Sequence, residues 1–264
     1  MIDPPEPQPP APGEPQPPSV EPEPRPPSVG PEAQPAPEPY PFWGYGDLVF
    51  LIAAAFVLLL LVGGIGLLLF KTPLTAGPAL ITTFAFEGLW FLVLYGVMRV
   101  GHGRPFWRSL GWVRSQRGFW DAFGWGLLTA LISIVLSSLI PAPHTKTLME
   151  ELLESRASML MVGIFAITLG PLFEELAFRG FLQPLLVRTF GVAGGVLLQA
   201  VPFAVLHGKE YAWNWQQLIV MLFAGAAFGW MRQRTGSTAA STYMHAGFNF
   251  VVFLGMMAES FVRK

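Results

Sequence analysis

Apolar residues run along this chain in long uncharged blocks, not in the polar–apolar alternation of strands. Residues 48–70 are 23 uncharged positions, enough for a membrane-crossing helix of about 20 residues. Residues 79–98 make a second block, interrupted only by Glu87. Residues 122–140 make a third, ended by Pro141 and Pro143. Further apolar runs follow over 157–173, from there to about 190, over 192–206, over 213–231, and from Ser237 or Thr238 to about 258. None alternates with period two, so the blocks read as helices and not as barrel strands. The pattern predicts an all-α, polytopic transmembrane helical bundle of about seven spans, with six to eight roughly bounding the count. Gly170-Pro171 should kink or break its helix, and Gly191, Gly194 and Gly195 mark a turn. Residues 147–156 read as a short amphipathic helix at the interface, with Thr147 and Glu150 at capping-box spacing.

Composition supports this class. The chain is 12% charged, against about 25% for soluble domains, and its mean hydropathy is +0.48. Cysteine is absent, which excludes a disulfide framework, a thiol nucleophile and a Cys-ligated metal site.

Charge divides the chain unevenly. Residues 1–41 hold 18 of the 26 prolines and seven acidic groups against Arg25 alone. With little to bury, this segment cannot offset its ordering entropy. It reads as a disordered, acidic, Pro-rich arm, a solvated spacer before a docking arm for a partner. It has no basic n-region or early apolar run, so it is not a signal peptide. Residues 42–118 comprise two N-terminal transmembrane helices and an Arg-rich loop, and 119–264 comprise the core. Pro41-Phe42-Trp43-Gly44-Tyr45 is an aromatic cluster suited to the membrane interface. Arg99, Arg104, Arg108, Arg114 and Arg117 place their loop on the cytoplasmic side, and the arm with it, two crossings back. The flanking spans argue against a nucleic-acid patch. Arg outnumbers Lys, which points to a GC-rich bacterial genome.

Candidate chemistry lies where charge interrupts the most apolar part of the chain, at Pro171-Leu172-Phe173-Glu174-Glu175-Leu176-Ala177-Phe178-Arg179-Gly180. Ionisable groups at membrane depth are costly and mark functional sites. Glu175 and Arg179, four apart, can pair on a helix, while Glu174 points about 100° away and stays free. If the chain turns near Gly191, residues 174–190 and 191–207 form antiparallel helices about 24 Å long. Glu174 and His207 then return to one depth. His245 and Asn249 lie four apart on one face of the last span. Glu174 and His207 could share the work of a general base, with His245 and Asn249 donating to an oxyanion. Glu174, His207 and His245 could instead hold a divalent metal such as zinc. No HExxH motif supports a common zinc protease. Glu87 reads as a structural hydrogen-bonding group before a catalytic one.

Three motifs in order, Glu174-Glu175-x-x-x-Arg179, Phe203-x-x-x-His207 and His245-x-x-x-Asn249, resemble the CPBP family of intramembrane proteases. That family holds the type II CAAX prenyl endopeptidases and the bacteriocin-processing and immunity (Abi) proteins. The resemblance covers about residues 122–258. It implies that Glu174 and His207 activate water, that His245 and Asn249 form the oxyanion hole, and that Glu175 and Arg179 support them. It places Phe203 beside the site. It favours a metal-free glutamate protease, so no cofactor is expected.

The expected function is therefore an intramembrane endopeptidase acting on a peptide or protein substrate, multi-pass in a bacterial inner membrane and in contact with the lipid bilayer, not nucleic acid. A non-proteolytic scaffold or regulator on the same fold would not need Glu174, His207, His245 and Asn249 together. A transporter lacks the matching broken helices of two halves.

Overall fold

The computed structural model describes residues 13, 39–70, 76–140 and 156–262. Met1–Glu38 divides off from the unit Pro39–Lys264, and the fold below is that of the second. Apart from residues 13 and 39–41, the arm lies outside the described residues. So does the amphipathic helix expected over 147–156, apart from its last residue.

Among the described residues the chain is helical, without strands. Helix α1 spans Tyr45–Phe70 and α2 spans Ala76–Gly96, ending in a π-helical turn at Val97–Gly101. A short α3 (Phe106–Ser109) leads to α4 (Phe119–Leu139). Then come α5 (Arg156–Ile167), α6 (Leu169–Glu175), a π-helical segment Leu176–Leu182, α7 (Gln183–Leu206), α8 (Trp215–Thr235) and α9 (Thr238–Val262). Among the described residues, four stretches are long and apolar enough to cross a membrane: Tyr45–Phe70, Gly77–Gly101, Phe119–Leu139 and Ser158–Leu206. Leu59, Leu60, Leu61, Leu68 and Leu69 of α1 are exposed, as lipid-facing side chains are.

The fourth stretch, 49 residues long, does not run straight. It breaks first at Thr168, whose φ of −119° and ψ of −82° leave the helical region. The cause is Pro171, which has no N–H for the carbonyl of Ile167, the last residue of α5. The break thus falls just before Gly170-Pro171. The chain then reverses within α7 at Gly191, which has φ 72° and ψ 175°. Only glycine adopts that conformation without strain. Beyond it, a side chain on Gly195 would collide with the backbone of Val187, 2.6 Å from its nitrogen. Residues eight apart meet only where a helix has doubled back, so 174–190 and 191–207 form the expected hairpin.

Around this hairpin the helices pack through small residues. On α4, a side chain at Gly126 would meet the Met244 carbonyl of α9, and one at Gly247 would meet the Phe123 carbonyl of α4. Backbone contact of this kind lets helices associate where lipid removes the hydrophobic drive. Ala122, Ala130, Phe203, Val220, Ala224, Phe228, Ala240, Met244 and Phe248 close one core where α4, α7, α8 and α9 meet. A second core joins α1 and α2 to the π-helical segment through Leu51, Leu94, Met98, Leu176, Phe181 and Leu185. Trp43 belongs to this second core, 1% exposed. Within the aromatic cluster, Trp43 turns to the protein: its indole N–H finds the Phe181 carbonyl, 3.1 Å away.

Candidate active site

Four faces with a four-residue period build the site. Glu175, Arg179 and Gln183 line one arm of the hairpin, and Gln199, Phe203 and His207 line the other. Gly225 and Gly229 of α8 present backbone carbonyls, and His245 and Asn249 lie on α9. Arg179 donates to Glu175 Oε1 at 2.8 Å and to the Gly225 carbonyl at 2.8 Å. Its guanidinium lies 4.4 Å from the centre of the Phe203 ring and 5.3 Å from that of Phe228. Both members of the ion pair are 0% exposed, so each charge depends on the other.

The same Glu175 oxygen accepts from His245 Nδ1 at 3.0 Å. That bond fixes the His245 ring and aims Nε2 at Glu174, 3.9 Å from its Oε2. The His245 ring also stacks on Phe228, 4.5 Å between centres. From the other side His207 Nδ1 donates to the Phe203 carbonyl at 2.8 Å, because a carbonyl only accepts. His207 Nε2 then faces Glu174 Oε2 at 4.0 Å. Glu174 Oε2 is buried with no hydrogen-bond partner, yet its side chain is 27% exposed and that of His207 17%. The protein thus covers this pair only in part, whereas Glu175, Arg179 and His245 are closed off.

Residues 156–251 match the family model described as type II CAAX prenyl endopeptidase, Rce1-like. The match supports the resemblance of this segment to the CPBP proteases. No curated protein and no solved structure matches the chain. The apolar helices support a membrane protein, and the family match supports a protease of the CAAX endopeptidase type in general. The matched CPBP segment holds α5 to α8 and most of α9, and so every residue of the site named above.

Of the residues singled out in the sequence, Glu174, Glu175, Arg179, His207 and His245 meet as described. Phe203 packs on the His207 ring at 4.6 Å. Asn249 is engaged elsewhere: its amide donates to the Ala166 carbonyl at 2.7 Å, tying α9 to the break between α5 and α6. Among the described residues no group of three or more His, Asp or Glu is arranged to hold a metal ion.

Glu87 comes from α2, outside the CPBP segment. Phe84 stacks on Phe165 at 4.0 Å and Phe91 lies 5.2 Å from Phe173, so Glu87 sits between two contacts that dock α2 on α5 and α6. Its Oε2 is buried with no partner, so the hydrogen bond expected there is not made by that atom.

Sequence reasoning missed Gln183, Gln199, Phe228 and Glu210. Gln183 donates to the Gly229 carbonyl at 2.9 Å and Gln199 to the Gly225 carbonyl at 2.9 Å. Their signal was present: each extends a motif by a further four residues. Glu210 follows His207 in the loop to α8, where burial raises its pKa, with His207 opposing and Glu174 adding. Phe228 gave no signal, since one phenylalanine in an apolar helix looks like any other.

Proposed function

We propose that the protein is a membrane-embedded endopeptidase that hydrolyses a peptide bond of a peptide or protein substrate, with water activated by Glu174 and His207. The observation that carries this reading is the partnerless Glu174 Oε2, 4.0 Å from one imidazole nitrogen and 3.9 Å from another. A water about 2.8 Å from Glu174 Oε2 and from His207 Nε2 spans that gap at ordinary hydrogen-bond lengths.

Glu174 and His207 together take one proton from the water, and its oxygen adds to the scissile carbonyl carbon. The negative charge that forms on the carbonyl oxygen meets His245 and Asn249. With Glu175 accepting from Nδ1, a protonated His245 has Nε2–H to donate. The amide of Asn249 has a second N–H beyond the one given to Ala166. The carbon–nitrogen bond then breaks, and the proton held by Glu174 or His207 passes to the departing amine. Arg179 holds Glu175 in place, so Glu175 can hold His245. Closing these steps inside a helical bundle removes them from bulk water, which strengthens each electrostatic interaction.

The topology belongs to the same reading. Arg99, Arg104, Arg108, Arg114 and Arg117 mark the α2–α4 connection as cytoplasmic in the cell membrane, with the N-terminus on that side.

The test compares membrane-bound and secreted peptides from cells carrying the wild type or Glu174→Gln, matched for abundance in the membrane. A defined cleavage product that disappears with Glu174→Gln and with His207→Ala supports the reading and identifies the substrate. Identical products from all three would overturn it, and a non-proteolytic scaffold would take its place.

A further inference from the structure

We propose that Trp43, in the segment that joins the arm to α1, is a positioning residue for the site. The inference rests on the peptidase reading above. It concerns a part of the chain outside the family-matched residues 156–251.

The geometry is specific. Trp43 stacks nearly parallel on Phe181, 14° between planes and 5.5 Å between centres, and donates to the Phe181 carbonyl at 3.1 Å. Phe181 lies in the π-helical segment Leu176–Leu182, two residues from Arg179. A π-helical turn is a rare local widening, found mostly at functional sites. Just beyond it, Pro184 brings no N–H to the backbone ladder. Trp43 covers this stretch on one side. Leu110 packs against it on another, since a side chain at Gly180 would lie 2.9 Å from the Leu110 carbonyl.

Neighbours of Trp43 hold it there. Arg188 donates to the Pro41 carbonyl at 2.8 Å. Tyr45 and Thr189 share a hydroxyl contact of 2.6 Å. Tyr40 donates to the Ser109 carbonyl at 3.2 Å and accepts from Arg232 at 3.3 Å. The segment is thus fastened to α3, α7 and α8 as well as to the π-helical turn. Its effect passes from Trp43 through Phe181 to Arg179, then to Glu175, and from Glu175 to His245. Trp43 touches none of the reacting atoms.

The experiment uses the full chain in lipid nanodiscs with ring-labelled histidine, as the wild type, Trp43→Phe and Trp43→Ala. Trp43→Phe keeps an aromatic ring on Phe181 and removes the N–H donor with part of the indole. Two quantities are read: the nitrogen resonances of His245, and kcat and KM on a synthetic peptide spanning the Glu174-dependent cleavage site. The expected result for Trp43→Phe is a shifted His245 signal and a kcat about fivefold lower, the worth of one buried hydrogen bond, with KM unchanged. For Trp43→Ala the loss is about fiftyfold, since the stack goes too. His245 signals and kcat at wild-type values in Trp43→Phe and in a folded Trp43→Ala would overturn the proposal. If Trp43→Ala does not fold, Trp43→Phe decides alone. If no Glu174-dependent cleavage exists, the peptidase reading has failed, and the His245 spectrum still decides whether Trp43 sets the site.

Discussion

Removing the guanidinium of Arg179, by Arg179→Met, tests the electrostatic centre of this protein most directly. The substitution keeps the length and apolar stem of the side chain. It leaves Glu175, 0% exposed, without its cation. Breaking a buried ion pair from one side costs about 3–5 kcal/mol, because the remaining charge keeps its desolvation penalty. Two features set the value within that range. The Gly225 carbonyl still accepts from Gln199 at 2.9 Å, so it is not orphaned and adds little. His245, 3.0 Å from Glu175, still donates to that carboxylate and offsets part of its desolvation. The expected loss is therefore near the lower end, about 3 kcal/mol, with about 1 kcal/mol more from the guanidinium over Phe203. Unfolding in mixed lipid–detergent micelles, followed by tryptophan fluorescence, measures it. The double variant Arg179→Met/Glu175→Leu should recover most of the loss, since an apolar pair replaces a charged one. A single variant that loses less than about 1 kcal/mol would refute the claim that the pair is mutually dependent. So would a double variant less stable than the single one.

Other outcomes follow from the same geometry. Glu174→Gln should leave stability within about 1 kcal/mol of the wild type, since Glu174 Oε2 has no hydrogen-bond partner to lose, while peptide hydrolysis falls by about 10²-fold or more; paired melting and cleavage assays read both. Gly126→Val should cost about 3 kcal/mol or more, read by the same unfolding titration, because its side chain would run into the Met244 carbonyl on a helix that cannot retreat. Gln199→Met should cost less than about 1 kcal/mol, since its Oε1 is already partnerless and Arg179 continues to serve the Gly225 carbonyl. Asn249→Ala should reduce kcat by about 10²-fold if the amide donates to the oxyanion; an unchanged kcat with a lower melting temperature would assign it to bracing Ala166 alone.

Much of this protein was legible in its sequence because membrane helices obey strong local rules. An uncharged run of twenty residues has few alternatives in a bilayer. Gly170-Pro171 pointed to a break, which falls at Thr168. The cluster Gly191, Gly194 and Gly195 pointed to a turn, and Gly191 makes it. The four-residue spacing of Glu175 and Arg179 predicted their ion pair, and equal lengths on either side of Gly191 predicted that Glu174 and His207 would meet. These depend on helical geometry alone.

What the sequence could not supply is whatever requires knowing which helix lies beside which. Nothing in the sequence pairs Trp43 with Phe181, 138 positions away, which it meets in the fold. Gln183 and Gln199 become meaningful only once Gly225 and Gly229 of α8 stand opposite them. Asn249 shares a face with His245, yet which partner its amide reaches depends on where α5 ends. Phe228 acquires its place from the ring of His245. Periodicity specifies the direction in which a side chain leaves its own helix. It carries no information about the neighbour that side chain meets, because that choice is made by the packing of small residues such as Gly126 and Gly247 between helices far apart in the chain.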